Sequence, residues 1–426
     1  MPGITRHSSG GETGRDCPAT FGPVRLLLAL LLVVLAACSP RPVPSPAPAT
    51  TRKVVGYFTD WGVYGRDFQV KDLDTGGAAN ELTHLVYAFG QVNGGRCAAA
   101  DAWADYQKPI SAGRSVDGVA DRSDAPLRGD FGQLRKLKAE HPGLKVLWSF
   151  GGWTGSAGFT DAARDPAAFA ASCRALVDDP RWSGVFDGID LDWEYPNACG
   201  RQCDTSGPDA LARLLGALRS AFGPRAVLSA AVPADVGKLE RADYRAAADR
   251  ADWLSAMTYD YFGTGGDDDD PTDQHRTEPH SPLTTYTGIP RADATASATV
   301  DKLLSLGVPA GKVLLGIGFY GRGWTGVTAT GPGGSASGPA DGRYEKGLED
   351  YEVLAKRCPP TGVAGGTAIA HCGTQWWSYD TPTTIKTKMA YARSKALGGA
   401  FAWELSGDTP DSALLTAVAS GLAQPS

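Results

Sequence analysis

Basic charge is in short supply in this chain. Lysine and arginine number 41 against 47 aspartates and glutamates, a formal charge of −6 at pH 7. A phosphate backbone needs a basic field to neutralise it, so the charge argues against a nucleic-acid partner. Long apolar runs are also missing. The run Val24 to Ala37, VRLLLALLLVVLAA, falls short of the about 20 residues a membrane span needs and has the length of a signal-peptide core. No histidine or further cysteine stands at ligand spacing from the cysteine pairs, which argues against zinc. No glycine-rich phosphate loop opens a helix after the first strand, so a doubly wound nucleotide-binding sheet lacks its main cue. No sequence unit repeats.

What is present at the start points outward. Leu35-Ala36-Ala37-Cys38 resembles a bacterial lipobox, with Cys38 as the lipidated first residue of the mature chain; ordinary secretion with cleavage close by is the plainer alternative. The stretch before Val24 is long for a basic leader and includes Glu12, Asp16 and Pro18, which leaves the true start codon open. Residues 39–52 carry proline at every second position from Pro40 to Pro48. At about 3.1 Å per residue in extended polyproline form, this linker would hold a domain roughly 40 Å from a surface. The expected organisation is therefore 1–38 signal peptide with lipobox, 39–52 linker and 53–426 catalytic domain, located outside the cytoplasm as a secreted or lipid-anchored protein.

Six cysteines follow the linker, and an even count in an exported chain makes disulfides the expectation. Cys199 with Cys203 and Cys358 with Cys372 each bracket a short loop. Cys97 and Cys173 pair by elimination, but Phe169, Cys173, Leu176 and Val177 share a helical face, so a buried free thiol at Cys173 stays open.

From Lys53 onward, strand-like and helix-like segments alternate. Strands are expected at Lys53 to Thr59, Leu82 to Gly90, Leu144 to Phe150, Phe186 to Trp193, Ala226 to Val232, Trp253 to Thr258, Lys312 to Phe319 and Gly399 to Trp403. One helix starts after Asp165-Pro166, a cap followed by proline in the first turn, and another carries Phe131, Leu134 and Leu137. Eight strands with crossovers predict a (β/α)8 TIM barrel with its chemistry at the C-terminal strand ends. The stretch 324–376 is too long for a simple connection.

The strongest single stretch is DGIDLDWEYP, Asp187 to Pro196. Asp190, Asp192 and Glu194 recur at a period of two, so in a strand they point the same way. Two ionised carboxylates about 4 Å apart would repel by roughly 4 kcal/mol at an effective dielectric near 20, so protons must be retained and shared. The solvated face of an antiparallel strand, backed by Ile189, Leu191 and Trp193, fits the same pattern, and so does a site for a hard cation. Eleven tryptophans, fourteen tyrosines and thirteen phenylalanines supply flat faces for sugar rings, though most must serve the core.

Asp187, Asp190, Asp192 and Glu194 fit DxxDxDxE, and the chain here resembles glycoside hydrolase family 18, the chitinases and their relatives. Ser149, Gly151 and Gly152 in LWSFGGWTGS resemble the family's SxGG, Met257 to Asp260 its MTYD, and Tyr320 with Arg322 its YxR. The resemblance runs from about Lys53 to near the C-terminus. It implies Glu194 as general acid, Asp192 orienting the substrate's acetamido group, Asp190 sharing the proton below, and Tyr259 positioning the acetamido oxygen. Substrate contacts are expected from Tyr57, Phe89, Gly151, Gly152, Trp153, Thr154, Tyr195, Met257, Asp260, Arg322 and Trp403, the last as the floor beneath the reacting sugar. The glycines are expected to allow close substrate approach, and Ser149 to support the acids. The stretch 324–376 resembles the small α+β insertion between strand 7 and helix 7.

The implied function is hydrolysis of the β-1,4 bonds of chitin by a retaining, substrate-assisted route, with no cofactor and no metal, by a monomer whose partner is the glycan. The alternatives are an endo-β-N-acetylglucosaminidase on N-glycans and a chitin-binding lectin. Asp267 to Asp270, with His275 and His280 after them, read as a solvated loop, with adventitious calcium the other option.

Overall fold

Lys53–Thr59 forms the first strand (β1) because its alternate residues face two different cores. Val54 and Phe58 join the large core shared with the helices, while Val55 and Tyr57 join a smaller inner one with Val86, Leu147, Trp253, Leu314 and Phe401. Seven more parallel strands repeat this division: β2 (His84–Asn93), β3 (Lys145–Gly151), β4 (Gly188–Asp192), β5 (Val227–Val232), β6 (Trp253–Ala256), β7 (Val313–Gly318) and β8 (Gly399–Trp403). β1 pairs with both β2 and β8, Tyr57 opposite Val86 and Val55 opposite Phe401, so the sheet closes into a barrel. This computed structural model describes residues 52–264 and 275–424. The expected leader, Cys38 and the linker up to Thr51 lie outside the described residues, as does Asp267 to Asp270.

Helices cover the outside where the sequence placed their caps. In Pro166–Val177 the Asp165 carboxylate accepts the Ala168 N–H at 3.0 Å, with proline in the first turn, and Phe169, Cys173 and Val177 are buried. Gly129–Glu140 buries Phe131, Leu134 and Leu137, each of which contributes about 1.5–3 kcal/mol by leaving water.

β4 lies between β3 and β5 and is parallel to both, with every residue buried. Ile189, Leu191 and Trp193 pack outward into the helix-facing core. The alternative of a half-solvated antiparallel strand is thereby overturned, and Asp190 and Asp192 point into the barrel.

Between β7 and β8 the chain builds a second sheet, wholly antiparallel, whose strands include Tyr320–Thr325, Thr367–Cys372 and Gln375–Tyr379. Helix Tyr351–Arg357 and a core of Trp324, Val327, Ile369 and Trp376 complete it. The sequence reading bounded this insertion at 324–376; the sheet itself runs from Tyr320 to Tyr379.

Three disulfides join Cys97 to Cys173, Cys199 to Cys203 and Cys358 to Cys372. The first closes the alternative of a free Cys173 thiol. It ties the short strand Arg96–Ala99, which pairs antiparallel with β2, to helix Pro166–Val177. No helix among the described residues is long and apolar enough to cross a membrane.

Candidate active site

The four motif acids divide by depth. Asp187 stands just before β4, where its carboxylate takes Lys138 Nζ at 2.6 Å and the Val146 N–H at 2.9 Å, so it anchors the strand's entry. Asp190 is fully buried inside the barrel. Its Oδ1 accepts the Ser229 hydroxyl at 2.6 Å, and its Oδ2 accepts Ser149 at 2.7 Å and Tyr57 at 3.0 Å. Burial raises its pKa while these hydroxyls pull it down. Burial is the larger influence, so the pKa stays above the ordinary carboxylate value, with the three donors offsetting part of the rise.

Asp192, one step up the same face, has no such support. Its Oδ1 is buried without a hydrogen-bond partner among the described residues. Burial first, then the charges of Glu194 and Asp190, raise its pKa well above the carboxylate range, so a proton retained by the acids rests here. Glu194 follows at the strand exit, half-buried. Burial pushes its pKa up to about 7, against the Tyr195 hydroxyl and the charge of Lys238. Two recesses meet at Glu194, one lined by Trp153, Thr154 and Arg201, the other by Tyr195, Met257, Tyr259 and Asp260.

Trp403, at the end of β8, stacks on Phe89 with ring centroids 5.7 Å apart, and Trp61 leans on both. Tyr57, expected near the mouth, lies under this group at 2% exposure with its hydroxyl on Asp190, so it supports the acid instead of meeting a sugar. The glycine pair also departs from expectation. A Cβ on Gly151 would stand 2.2 Å from the Asp192 carbonyl, and one on Gly152 would stand 2.6 Å from the Phe89 ring. The close approach these glycines permit is by the protein's own main chain and ring.

Tyr259 follows β6 by three residues. Burial and the neighbouring Asp192 raise its pKa well above the phenol value, so it remains a hydrogen-bond donor. Asp260 and Arg322, expected to hold sugar hydroxyls, hold each other in a two-pronged pair at 2.8 and 2.9 Å. Burial alone would raise the Asp260 pKa, but Arg322 and His280 hold it well below the usual range. His280 departs from the solvated loop expected for it. It is fully buried, with Nδ1 3.6 Å from Asp260 and its ring against Tyr320.

Ser229 and Ser156 also belong to the site. Ser229 sits opposite Asp190 on β5, and a serine amid apolar residues beside the acidic strand was the available signal. Ser156 accepts the Glu194 N–H at 2.9 Å and donates toward the carbonyls of Gly152 and Asp192, at 2.9 and 3.1 Å. Lys238 lies over the Tyr195 ring at 4.5 Å. Among the described residues, one group of metal-ligand type stands elsewhere: Asp74, Glu140 and His141 bring their atoms within 4.8 Å, next to the entry of β3.

Residues 53–408 match the family model for glycosyl hydrolases family 18. The chain is 57% identical over 372 residues to chitinase 63 of Streptomyces plicatus, covering 86% of this chain and 60% of that protein. It is 58% identical over 359 residues to chitinase C of Streptomyces lividans, covering 83% of this chain and 57% of that one. The chain thus spans less than two thirds of the length of these relatives. Among solved structures it resembles the catalytic domain of psychrophilic chitinase B from Arthrobacter TAD20, with a TM-score of 0.79 and 35% identity over 88% of this chain and 95% of that chain.

Proposed function

Because the chain belongs to glycoside hydrolase family 18, we propose that it is a chitinase, hydrolysing β-1,4 bonds between N-acetylglucosamine units with retention of configuration. One observation carries this reading. Asp190 and Asp192 on one face of β4 lead to Glu194 just past its end, and the buried Asp192 Oδ1 has no hydrogen-bond partner among the described residues beside a Glu194 held near neutral pKa.

In this reading Glu194 donates its proton to the glycosidic oxygen as the bond to the anomeric carbon breaks. The substrate's own acetamido carbonyl oxygen bonds to that carbon and gives an oxazolinium-like ring. Asp192 accepts the acetamido N–H, and Tyr259 donates to its carbonyl oxygen. Water then attacks the anomeric carbon and gives a proton to the Glu194 carboxylate as the ring opens. Phe89, Trp153 and Trp403 offer flat faces for the sugars, with Thr154, Tyr195, Met257 and Asp260 along the recesses. Arg322 acts by fixing Asp260.

The three disulfides support an oxidising, extracytoplasmic setting. We extend this to a leader at 1–38 ending in a lipid anchor on Cys38, a linker at 39–52 and a catalytic barrel from 53 with the insertion inside it. Turnover of chitotetraose and of an N-glycoprotein, measured side by side with Glu194→Gln, tests the reading. The chitooligosaccharide should be cleaved, and the variant should bind it while losing activity on the order of 10³-fold or more. Equal turnover of oligosaccharides lacking the N-acetyl group would remove the substrate-assisted step. Cleavage of the glycoprotein alone would move the substrate to N-glycans.

A further inference from the structure

Against the exit of β6 lies a polar network that the proposed chemistry leaves unused. Lys388, on helix Pro382–Ser394, is 1% exposed, and Asp380 is wholly buried. The Lys388 ammonium donates to Asp380 Oδ2 at 2.6 Å, to the Ser281 carbonyl at 2.6 Å and to Ser281 Oγ at 2.8 Å. All three of its protons are placed. Ser281 in turn donates its hydroxyl to the Thr258 carbonyl at 2.7 Å. Thr258 bridges to β7 through Gly316, accepting its N–H at 2.9 Å and donating to its carbonyl at 2.8 Å. Tyr259 is the next residue along the chain.

A second arm of the network reaches Asp260. His280 donates its N–H to Ser378 at 3.1 Å, its carbonyl accepts the Tyr261 N–H at 2.9 Å, and its ring stands behind the Asp260 carboxylate. Asp260 adopts a left-handed backbone with φ 56°, a conformation uncommon outside glycine and, among the other residues, best tolerated by Asp and Asn. Three stretches far apart in sequence, around residues 258, 281 and 380–388, therefore converge on Tyr259 and Asp260, which line a recess at Glu194.

Burying an ion pair gives little stability, because desolvating each ion costs several kcal/mol and apolar residues of the same volume often do as well. Stability is thus a poor account of Lys388. Register is a better one, since three fixed hydrogen bonds allow one placement of Ser281 and hence of the Thr258 carbonyl.

We propose that Lys388 is a positioning residue: through Ser281 it fixes the Thr258 carbonyl, and so the placement of the Tyr259 hydroxyl and the left-handed Asp260. The insertion and its following helix thereby set the geometry of the barrel site. The effect on turnover rests on the chitinase reading, whereas the placement of Tyr259 and Asp260 does not.

The test combines Lys388→Met with Asp380→Asn, which removes both charges at nearly constant volume. Amide hydrogen exchange at Tyr259, Asp260 and Tyr261 should quicken tenfold or more while the melting temperature stays near that of the unaltered protein. On chitotetraose, kcat should fall at least tenfold with KM changed less than threefold. Unaltered exchange at these amides in a folded double variant overturns the placement, and unaltered kcat overturns the role in the reaction. If the unaltered protein turns over no chitooligosaccharide, the chitinase reading fails and the exchange measurement still decides the placement. Should the double variant not fold, Ser281→Ala, which cuts only the link from Lys388 to Thr258, is measured in the same way with the same outcomes.

Discussion

Ser229 donates its hydroxyl to Asp190 Oδ1 over 2.6 Å, and no other donor to that oxygen is found among the described residues. The other oxygen has two, Ser149 and Tyr57. Losing a hydrogen bond to a buried charged group costs about 1.5–3 kcal/mol. Ser229→Ala should therefore lower kcat roughly 10- to 100-fold, at about 1.4 kcal/mol per factor of ten. Ser149→Ala leaves Tyr57 in place on Oδ2 and should lower it by less. Both are read from turnover of chitotetraose, and a larger loss in Ser149→Ala would remove the distinction between the two oxygens.

The same acids set a pH profile. Glu194 must carry its proton into the reaction, and burial holds its pKa at about 7. As pH rises through that value the protonated fraction falls, tenfold per unit beyond it, so kcat/KM should show a basic limb near pH 7. The positive charge of Lys238 favours the ionised form of Glu194 and lowers its pKa. Lys238→Met removes that influence, so the limb should move to higher pH. A limb that moves to lower pH, or stays, would show that Glu194 is not the group being titrated.

Gly151 and Gly152 separate a rigid neighbour from a movable one. At φ 114° a Cβ on Gly151 meets the Asp192 carbonyl, which the Gly152 N–H and the Ser156 hydroxyl already hold at 2.8 and 3.1 Å. On Gly152, at φ 81°, it meets the Phe89 ring, which is only partly buried. Gly151→Ala should therefore shift Asp192 and lower both the melting temperature and kcat. Gly152→Ala should act mainly on KM, through Phe89 in the aromatic floor. The two variants compared in one melting and kinetic series give the answer, and equal loss of kcat in both would contradict it.

What the sequence could reveal depended on how local the cause was. The period-two spacing of Asp190, Asp192 and Glu194 is local, so their common direction was legible, but the apolar residues on the opposite parity fitted a half-solvated strand equally well, and only the parallel neighbours on both sides show the strand to be buried. The helix caps at Asp165 and Pro166 were equally local. Tyr57 was misplaced because a position near a strand end does not tell whether an inward side chain meets substrate or another inward side chain. The glycines were misread for a related reason, since their close neighbours are Asp192, 41 and 40 residues on, and Phe89. His280 looked solvated beside an acidic run, but its burial is decided by Tyr320 and the 378–388 region, about 100 residues away. Ser229 was missed because a lone serine in an apolar strand acquires meaning only from the strand beside it.

The disulfides offer the last contrast, between stability and chemistry. Cys97–Cys173 closes a span of 76 residues and Cys199–Cys203 one of 4. Chain-entropy arguments give the first about 4.5 kcal/mol of stabilisation and the second about 2. Location acts in the opposite sense. The short loop lines the recess at Glu194 through Arg201 and Gln202, and it packs so closely that a Cβ on Gly200 would stand 2.4 Å from the Glu194 carbonyl. The long span instead ties a strand beside β2 to an outer helix. Cys97→Ala with Cys173→Ala should therefore lower the melting temperature more, with kinetics unaltered well below the melt. Cys199→Ala with Cys203→Ala should lower the melt by less than half as much and should raise KM. If the exposed short bridge proves the larger contributor to stability, loop length is not what governs these cross-links. If its loss leaves KM unaltered, the 199–203 loop is no part of the binding surface.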